Sequence, residues 1–176
     1  MGQSNLKLEY LQKYSVGKTF VETGTFLGDT VNLAKEFGFK KIHSIEIDEK
    51  LYELNKKNFE NDNSIKIWQG DSIFVLKEIL KEIEEPSSFW LDAHASGPLK
   101  GNPNAPCPLE FELSLIFSNS NNHTIFIDDC RLFGSLEWGF VKKENVISII
   151  KKANPNYNLY YLDGHCENDI LCACVN

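Results

Sequence analysis

The chain has 176 residues, a net charge of −7 at neutral pH and a sequence pI near 5.1. With 42% hydrophobic residues, it suits one globular domain over 1–176, with no room for a second. The acidic balance excludes a broad phosphate-binding surface, so nucleic acid is not an expected partner. No apolar stretch reaches the roughly 18 residues that span a bilayer, and the five cysteines form no C-x-x-C pair. We therefore expect a reduced, cytoplasmic protein that does not bind membranes.

Helix and strand patterns alternate along almost the whole chain. An N-terminal helix is predicted over 4–14, within residues 1–15, and the core follows from 19 to 176. Strands are predicted at 19–23, 41–46, 65–68, 88–92 and 123–128, then an antiparallel hairpin at 157–162 and 170–175. Helices are predicted between them at 29–37, 49–60, 109–118 and 143–153, and the helix after the third strand carries Ile73, Leu76, Ile79, Leu80 and Ile83 at amphipathic spacing. This alternation predicts an α/β fold, a doubly wound and mostly parallel sheet with helices on both faces.

Residues 95–108 break the alternation with four prolines and two glycines. A loop of this length inside a compact domain is usually functional or disordered. It follows the fourth predicted strand, and ligands of open α/β sheets bind outside the carboxyl ends of the strands.

Residues 20–30 contain the most informative motif: a short apolar run, an acid, a glycine-rich turn and the start of a helix. Gly24 and Gly28 lack a Cβ, so the backbone there can turn tightly and approach a ligand closely. The helix beginning near Asp29 offers unpaired N–H groups beside them. Glu22 would repel a pyrophosphate at this turn. The motif favours a nucleotide-like cofactor that is cationic or zwitterionic.

A second acid follows the second predicted strand. Glu46 lies 46 − 24 = 22 residues after Gly24, close to the spacing at which doubly wound folds place a carboxylate that accepts both hydrogen bonds of a ribose diol. The glycine spacing, Gly24-x-x-x-Gly28, differs from the dinucleotide motif G-x-G-x-x-G, so NAD and FAD are disfavoured. Together these segments resemble motifs of class I S-adenosylmethionine-dependent methyltransferases.

This resemblance implies a Rossmann-like fold of seven strands whose last strand runs antiparallel, with S-adenosyl-L-methionine as the cofactor. By its position, Asp71 would face the adenine amino group. The other interpretation of Asp71 is an N-cap for the helix that follows. The residues predicted to bind the cofactor are Glu22, Thr23, Gly24, Thr25, Gly28, Thr30, Glu46, Ile47, Asp71, Ser72 and Asp92.

The segments after the fourth and fifth strands carry a narrower resemblance. Residues 92–97 read Asp-Ala-His-Ala-Ser-Gly, and an Asp-Asp pair at 128–129 follows the run Ile-Phe-Ile at 125–127. This resembles small methyltransferases of the Asp-x-His-x-Ser-Gly type and is similar in layout to the macrocin-type sugar O-methyltransferases. By that resemblance Asp92, Asp128 and Asp129 would hold Mg²⁺, a cation that suits three carboxylates and waters. The alternative is that Asp128 and Asp129 cap a loop turn.

Asp92 and His94 are the predicted catalytic pair. His94 lies two residues after Asp92 and would point the same way into the cleft. Its imidazole could accept the proton of a substrate hydroxyl during methyl transfer. For Arg131 we favour pairing with the aspartates over binding an anionic substrate group, and Trp138 is expected to line a substrate pocket.

The leading hypothesis is an S-adenosylmethionine-dependent O-methyltransferase acting on a sugar, glycan or other small polyol. A non-catalytic methyltransferase-like module that binds a partner through the Pro-rich loop is one alternative. An NAD-linked oxidoreductase is the other, and the glycine spacing counts against it. The sequence leaves the oligomeric state open.

Overall fold

The structure, a computed structural model, describes residues 4–93, 107–136 and 138–175. Its helices are α1 Leu8–Tyr14, α2 Asp29–Phe37, α3 Glu49–Asn58, α4 Ser72–Lys81, α5 Leu109–Ile116 and α6 Lys143–Ala153. Its strands are β1 Thr19–Thr23, β2 Lys41–Glu46, β3 Ile65–Gln69, β4 Ser88–Leu91, β5 Thr124–Ile127, β6 Asn158–Leu162 and β7 Ile170–Cys174. A short 3₁₀ turn, Cys130–Leu132, follows β5 and was not predicted.

The seven strands form one sheet in the order β3-β2-β1-β4-β5-β7-β6. Four neighbouring pairs are parallel, while β7 runs antiparallel to both β5 and β6. The predicted fold class, a Rossmann-like doubly wound sheet with an antiparallel last strand, is therefore confirmed.

Both faces of the sheet are buried, because its central strands carry apolar side chains at consecutive positions. Val21 of β1 packs with residues of α4, α5 and α6 on one face, and Phe20 packs with α1 and α2 on the other. Helices on both faces leave only the two ends of the strands open to a ligand. Within the described ranges, no helix is long and apolar enough to cross a membrane.

The first helix begins later than predicted, at Leu8 instead of residue 4. The reason lies in the side chains before it. Ser4 Oγ lies 2.8 Å from Thr30 Oγ1, and Asn5 Nδ2 donates to both carboxyl oxygens of Asp128, at 3.2 and 2.9 Å. These long-range hydrogen bonds tie residues 4–5 across the carboxyl end of the sheet, away from the helix axis.

Candidate functional site

The candidate site lies where the strand order reverses. β1 pairs with β2 on one side and with β4 on the other, and the following helices pass to opposite faces of the sheet. This arrangement opens a crevice at the carboxyl ends of the strands. Glu22 and Glu46 belong to the ends of β1 and β2, while Asp92 and Asp128 directly follow β4 and β5. The fold thus brings four of the predicted acids to one edge.

The glycine turn after β1 requires its glycines. Gly24 has a φ of 88° and Gly28 a φ of 81°, values that residues with a Cβ rarely adopt. A Cβ on Gly24 would lie 2.6 Å from the carbonyl oxygen of Asp92, and one on Gly28 would lie 2.6 Å from Asn55 Oδ1. The turn therefore packs directly against the segments that follow β4 and form α3.

The N-terminus of α2 faces this crevice without a side-chain cap, because Gly28 occupies the N-cap position. The first N–H groups of a helix have no partner within the helix and carry partial positive charge. They can donate hydrogen bonds to a carboxylate, such as that of an amino-acid group on a ligand.

Glu22 lies beneath the turn in a buried hydrogen-bond network. Ser44 Oγ donates to Glu22 Oε2 at 2.5 Å and lies 2.6 Å from Thr25 Oγ1. Burial raises the pKa of Glu22 to about 8, while hydrogen bonds from Ser44 and Thr30 act in the opposite direction. Glu22 therefore supports the turn from below, and its predicted contact with the cofactor stays a prediction.

Glu46 is fixed in orientation by two backbone groups. Phe26 N donates to its Oε2 and Asp48 N to its Oε1, both at 2.9 Å. A carboxylate offers about four acceptor positions, so each oxygen can still accept one more hydrogen bond. Glu46 thus holds the glycine turn and can also accept hydrogen bonds from the two hydroxyls of a ribose.

Three large apolar side chains stand exposed around the same edge. Phe26 is 54%, Ile47 60% and Phe74 64% exposed, and they follow β1, β2 and β3 respectively. Phe26 also has a φ of 48°, an uncommon conformation for a residue with a side chain. Exposed apolar side chains after three neighbouring strands suit a flat aromatic ligand such as a purine base. The sequence predicted a role for Ile47 alone.

Asp71 is the N-cap of α4, as one of its two interpretations predicted. Its Oδ1 accepts a hydrogen bond from Ile73 N at 3.0 Å. Ser72, the first residue of the helix, is buried. The predicted contacts of Asp71 and Ser72 with adenine stay predictions.

The aspartates after β5 are engaged by groups of this chain. Asp128 is buried and accepts from the Asn5 amide and from Asp129 N. Burial and the neighbouring charges of Asp92 and Asp129 raise the pKa of Asp128 to about 8. Because like charges held this close repel one another, a buried aspartate in such a group takes up a proton more readily than one in water.

Arg131 supplies the positive charge of this cluster. Its guanidinium forms ion pairs with Asp129 and with the fully buried Asp169, so the predicted pairing of Arg131 with the aspartates is confirmed. Carboxyl oxygens of Asp128, Asp129 and Asp169 lie within 4.8 Å of one another. Among the described residues, this group contains Asp169 in place of Asp92, and Arg131 forms ion pairs with two of its three members. The predicted Mg²⁺ site of Asp92, Asp128 and Asp129 therefore stays a prediction.

Replacement of Arg131 distinguishes the two interpretations. Arg131→Met leaves Asp129 and Asp169 without their counter-charge, and we expect it to lower the free energy of unfolding by about 3 kcal/mol, as loss of one partner of a buried pair does. Thermal unfolding should show millimolar Mg²⁺ raising the melting temperature of this variant while leaving the wild type unchanged. A wild-type melting temperature that rises with Mg²⁺ and falls with EDTA would instead support a resident cation.

Glu112 of α5 is a buried acid that the sequence analysis did not single out. Its helix packs on the face of the sheet opposite to α2. Burial raises the pKa of Glu112 to about 7, against the smaller effects of the Ser72 and Thr23 hydroxyls that face it. Among the described residues, neither Glu112 Oε1 nor Thr23 Oγ1 has a hydrogen-bond partner. Thr23, one of the predicted cofactor residues, is fully buried.

A small cavity of about 10 Å³ opens beside Glu112. Trp138, predicted to line a substrate pocket, forms one of its walls and is buried. Asp92 lies at the rim, where its N–H donates to Thr23 O at 3.0 Å. The predicted base, His94, lies outside the described residues.

Solved structures share this architecture. An O-methyltransferase from Bacillus cereus, solved with S-adenosylhomocysteine, is 17% identical with a TM-score of 0.62 over 90% of this chain and 74% of that one. Human methyltransferase-like protein 13, also solved with S-adenosylhomocysteine, is 17% identical with a TM-score of 0.60 over 96% of this chain and 76% of that one. The fold is that of class I methyltransferases.

A third structure with this methyltransferase fold matches almost end to end. It is a Streptococcus mutans protein described as a methyltransferase and solved with S-adenosylhomocysteine. It is 12% identical, with a TM-score of 0.63 over 96% of this chain and 95% of that one. No protein-family model and no curated protein matches the sequence. At these identities the likeness is one of fold.

Several residues of the site were missed from the sequence. The signal for Glu112 was present, because Leu109, Glu112, Leu113 and Ile116 follow the spacing of one buried helix face, where an acid is out of place. Asn5 and Asp169 gave no such signal. Their partners Asp128 and Arg131 lie 123 and 38 residues away along the chain.

Proposed function

We propose that the chain is an S-adenosyl-L-methionine-dependent O-methyltransferase that acts on a hydroxyl of a sugar, glycan or other small polyol. The observation that carries this proposal is the oriented carboxylate of Glu46, with free acceptor positions, beside an uncapped helix N-terminus and exposed apolar side chains. S-adenosylhomocysteine is bound by several proteins that share the fold. The polyol substrate rests on the resemblance to macrocin-type enzymes.

The residues at the edge fit this cofactor part by part. The uncapped N-terminus of α2 suits the carboxylate of its amino-acid group. Glu46 suits the ribose diol, and Ile47 and Phe74 suit the adenine ring. Acidic side chains at the ends of β1, β4 and β5 favour a positively charged ligand. When bound, the cofactor supplies an activated methyl group on a sulfonium.

The protein then has to align the acceptor hydroxyl with that methyl group and remove its proton. With the cofactor bound, formation of the carbon–oxygen bond would break the carbon–sulfur bond and would release S-adenosylhomocysteine with the sulfur electron pair. The acceptor proton passes to a base, for which we propose His94, with Asp92 beside it in sequence.

Calorimetry with S-adenosylhomocysteine tests the cofactor assignment directly. We expect micromolar binding. Absence of binding at a tenfold higher concentration would contradict the proposal. Transfer of a labelled methyl group to a panel of small polyols and glycans then distinguishes an enzyme from a module that only binds the cofactor.

The assignment of His94 predicts a separation of turnover from cofactor binding. His94→Ala should lower the methyl-transfer rate by more than about tenfold, because general-base catalysis is lost. Its affinity for S-adenosylhomocysteine should equal that of the wild type. A variant that keeps most of the wild-type rate would assign proton removal to water or to another group.

A further inference from the structure

The cavity beside Glu112 combines acidic, aromatic and apolar side chains. The described residues that line it are Leu91, Asp92, Ala93, Cys107, Pro108, Leu109, Glu112 and Trp138. They come from the end of β4, the start of α5 and the segment after the 3₁₀ turn. Of the residues predicted to bind the cofactor, only Asp92 is among them. We therefore assign the cavity to the acceptor, although the predicted cofactor residues Thr23 and Ser72 also lie beside Glu112, and the titration with bound S-adenosylhomocysteine described below tests this assignment.

The size of the cavity limits what it can hold. At about 10 Å³ it has room for roughly one water-sized group. An ammonium group is of that size, whereas a carbon stem attached to it would not be enclosed. The rest of the ligand would lie outside it, along the strand ends.

Glu112 defines the group that fits. Its side chain is 1% exposed, and its Oε1 has no hydrogen-bond partner among the described residues. A buried acceptor without a partner costs free energy, and a charged one costs more. A ligand that donates a hydrogen bond to Oε1 would remove this cost.

The other walls favour a donor that carries positive charge. Two carboxyl groups, Glu112 and Asp92, line the cavity, and none of the described lining residues is a lysine or arginine. Trp138 adds an indole wall, the aromatic ring that attracts cations most strongly. Leu109 and Pro108 supply apolar contact for a carbon stem.

We propose that this cavity binds a protonated amino group of the methyl acceptor, with Glu112 as its hydrogen-bond acceptor and Trp138 as an aromatic wall. The assignment to the acceptor rests on the proposed methyltransferase function. It narrows the substrate class to hydroxyl compounds that also carry an amine, such as an amino sugar or an amino alcohol.

Butylammonium chloride is a suitable probe, with 1-butanol as its neutral counterpart of similar length. Both are titrated into the ¹⁵N-labelled wild-type protein, first alone and then saturated with S-adenosylhomocysteine. The indole N–H signal of Trp138, assigned with Trp138→Phe, reports occupancy of the cavity. We expect butylammonium to shift this signal in both states and 1-butanol to leave it unchanged.

Glu112→Gln keeps the shape of the side chain and removes its charge. We expect it to weaken butylammonium binding by at least about tenfold, as loss of a charged hydrogen bond does. Glu110→Gln, on the same helix and two residues away, serves as the matched control and should bind as the wild type does. Thermal unfolding of both variants verifies that they are folded.

Three results would overturn the proposal. Equal shifts with 1-butanol would mean an apolar cavity, and an unchanged affinity in Glu112→Gln would remove the carboxyl from the site. Loss of butylammonium binding after saturation with S-adenosylhomocysteine would assign the cavity to the cofactor's own ammonium group. If S-adenosylhomocysteine fails to bind at all, the methyltransferase proposal fails, whereas the titration without it still tests the cavity.

Discussion

Glu46→Ala should weaken the binding of S-adenosylhomocysteine by about 10²- to 10⁴-fold. The variant loses both oxygens that we expect to accept the ribose hydroxyls, and each charged hydrogen bond contributes about 1.5–3 kcal/mol. It also leaves Phe26 N and Asp48 N without their acceptors, so the glycine turn loses one of its fixed points. Calorimetry at constant pH and salt measures the change.

Glu49→Ala provides the matched control for this variant. Glu49 lies three residues further along, in the first turn of α3, and is exposed. It should bind S-adenosylhomocysteine as the wild type does. If Glu46→Ala stays folded and keeps an affinity within about twofold of the wild type, Glu46 serves only to hold the turn.

The fold could be predicted closely from the sequence because its signals are local. The bounds of β1, β2, α2 and α6 agree with the predicted ranges to the residue. Each is a short apolar or amphipathic run bounded by a polar or glycine residue, and neighbouring residues alone decide it. The start of α1 was wrong because Ser4 and Asn5 bond to residues far along the chain.

The candidate site was predictable where a residue's role follows from its position at a strand end. Glu46 and Gly24 were found in this way. The state of the aspartates after β5 was not, because it depends on Arg131 and Asp169 meeting in space. Glu112 was missed for a different reason. A single acid among the apolar residues of a helix face does not by itself indicate a site, and the cavity beside Glu112 is known only from the structure.

Gly24→Ala should abolish measurable binding of S-adenosylhomocysteine. The left-handed φ of 88° costs a residue with a Cβ about 1–2 kcal/mol. In addition, the new Cβ would lie 2.6 Å from the carbonyl oxygen and 3.0 Å from the carbonyl carbon of Asp92, and backbone cannot move aside as a flexible side chain can. The ends of β1 and β4 must then separate. That separation displaces the turn, which we expect to contact the amino-acid group of the cofactor.

Gly38→Ala separates the two causes. Gly38 has a φ of 99°, yet nothing lies within 4 Å of a Cβ built there. It should therefore show the backbone strain alone and keep wild-type affinity for S-adenosylhomocysteine. Urea unfolding of the two variants should differ by about 1–3 kcal/mol, the usual cost of an overpacked contact. If Gly24→Ala binds S-adenosylhomocysteine as well as Gly38→Ala does, the close approach of the turn to Asp92 is not needed for the site, and the cofactor must be held elsewhere along the edge.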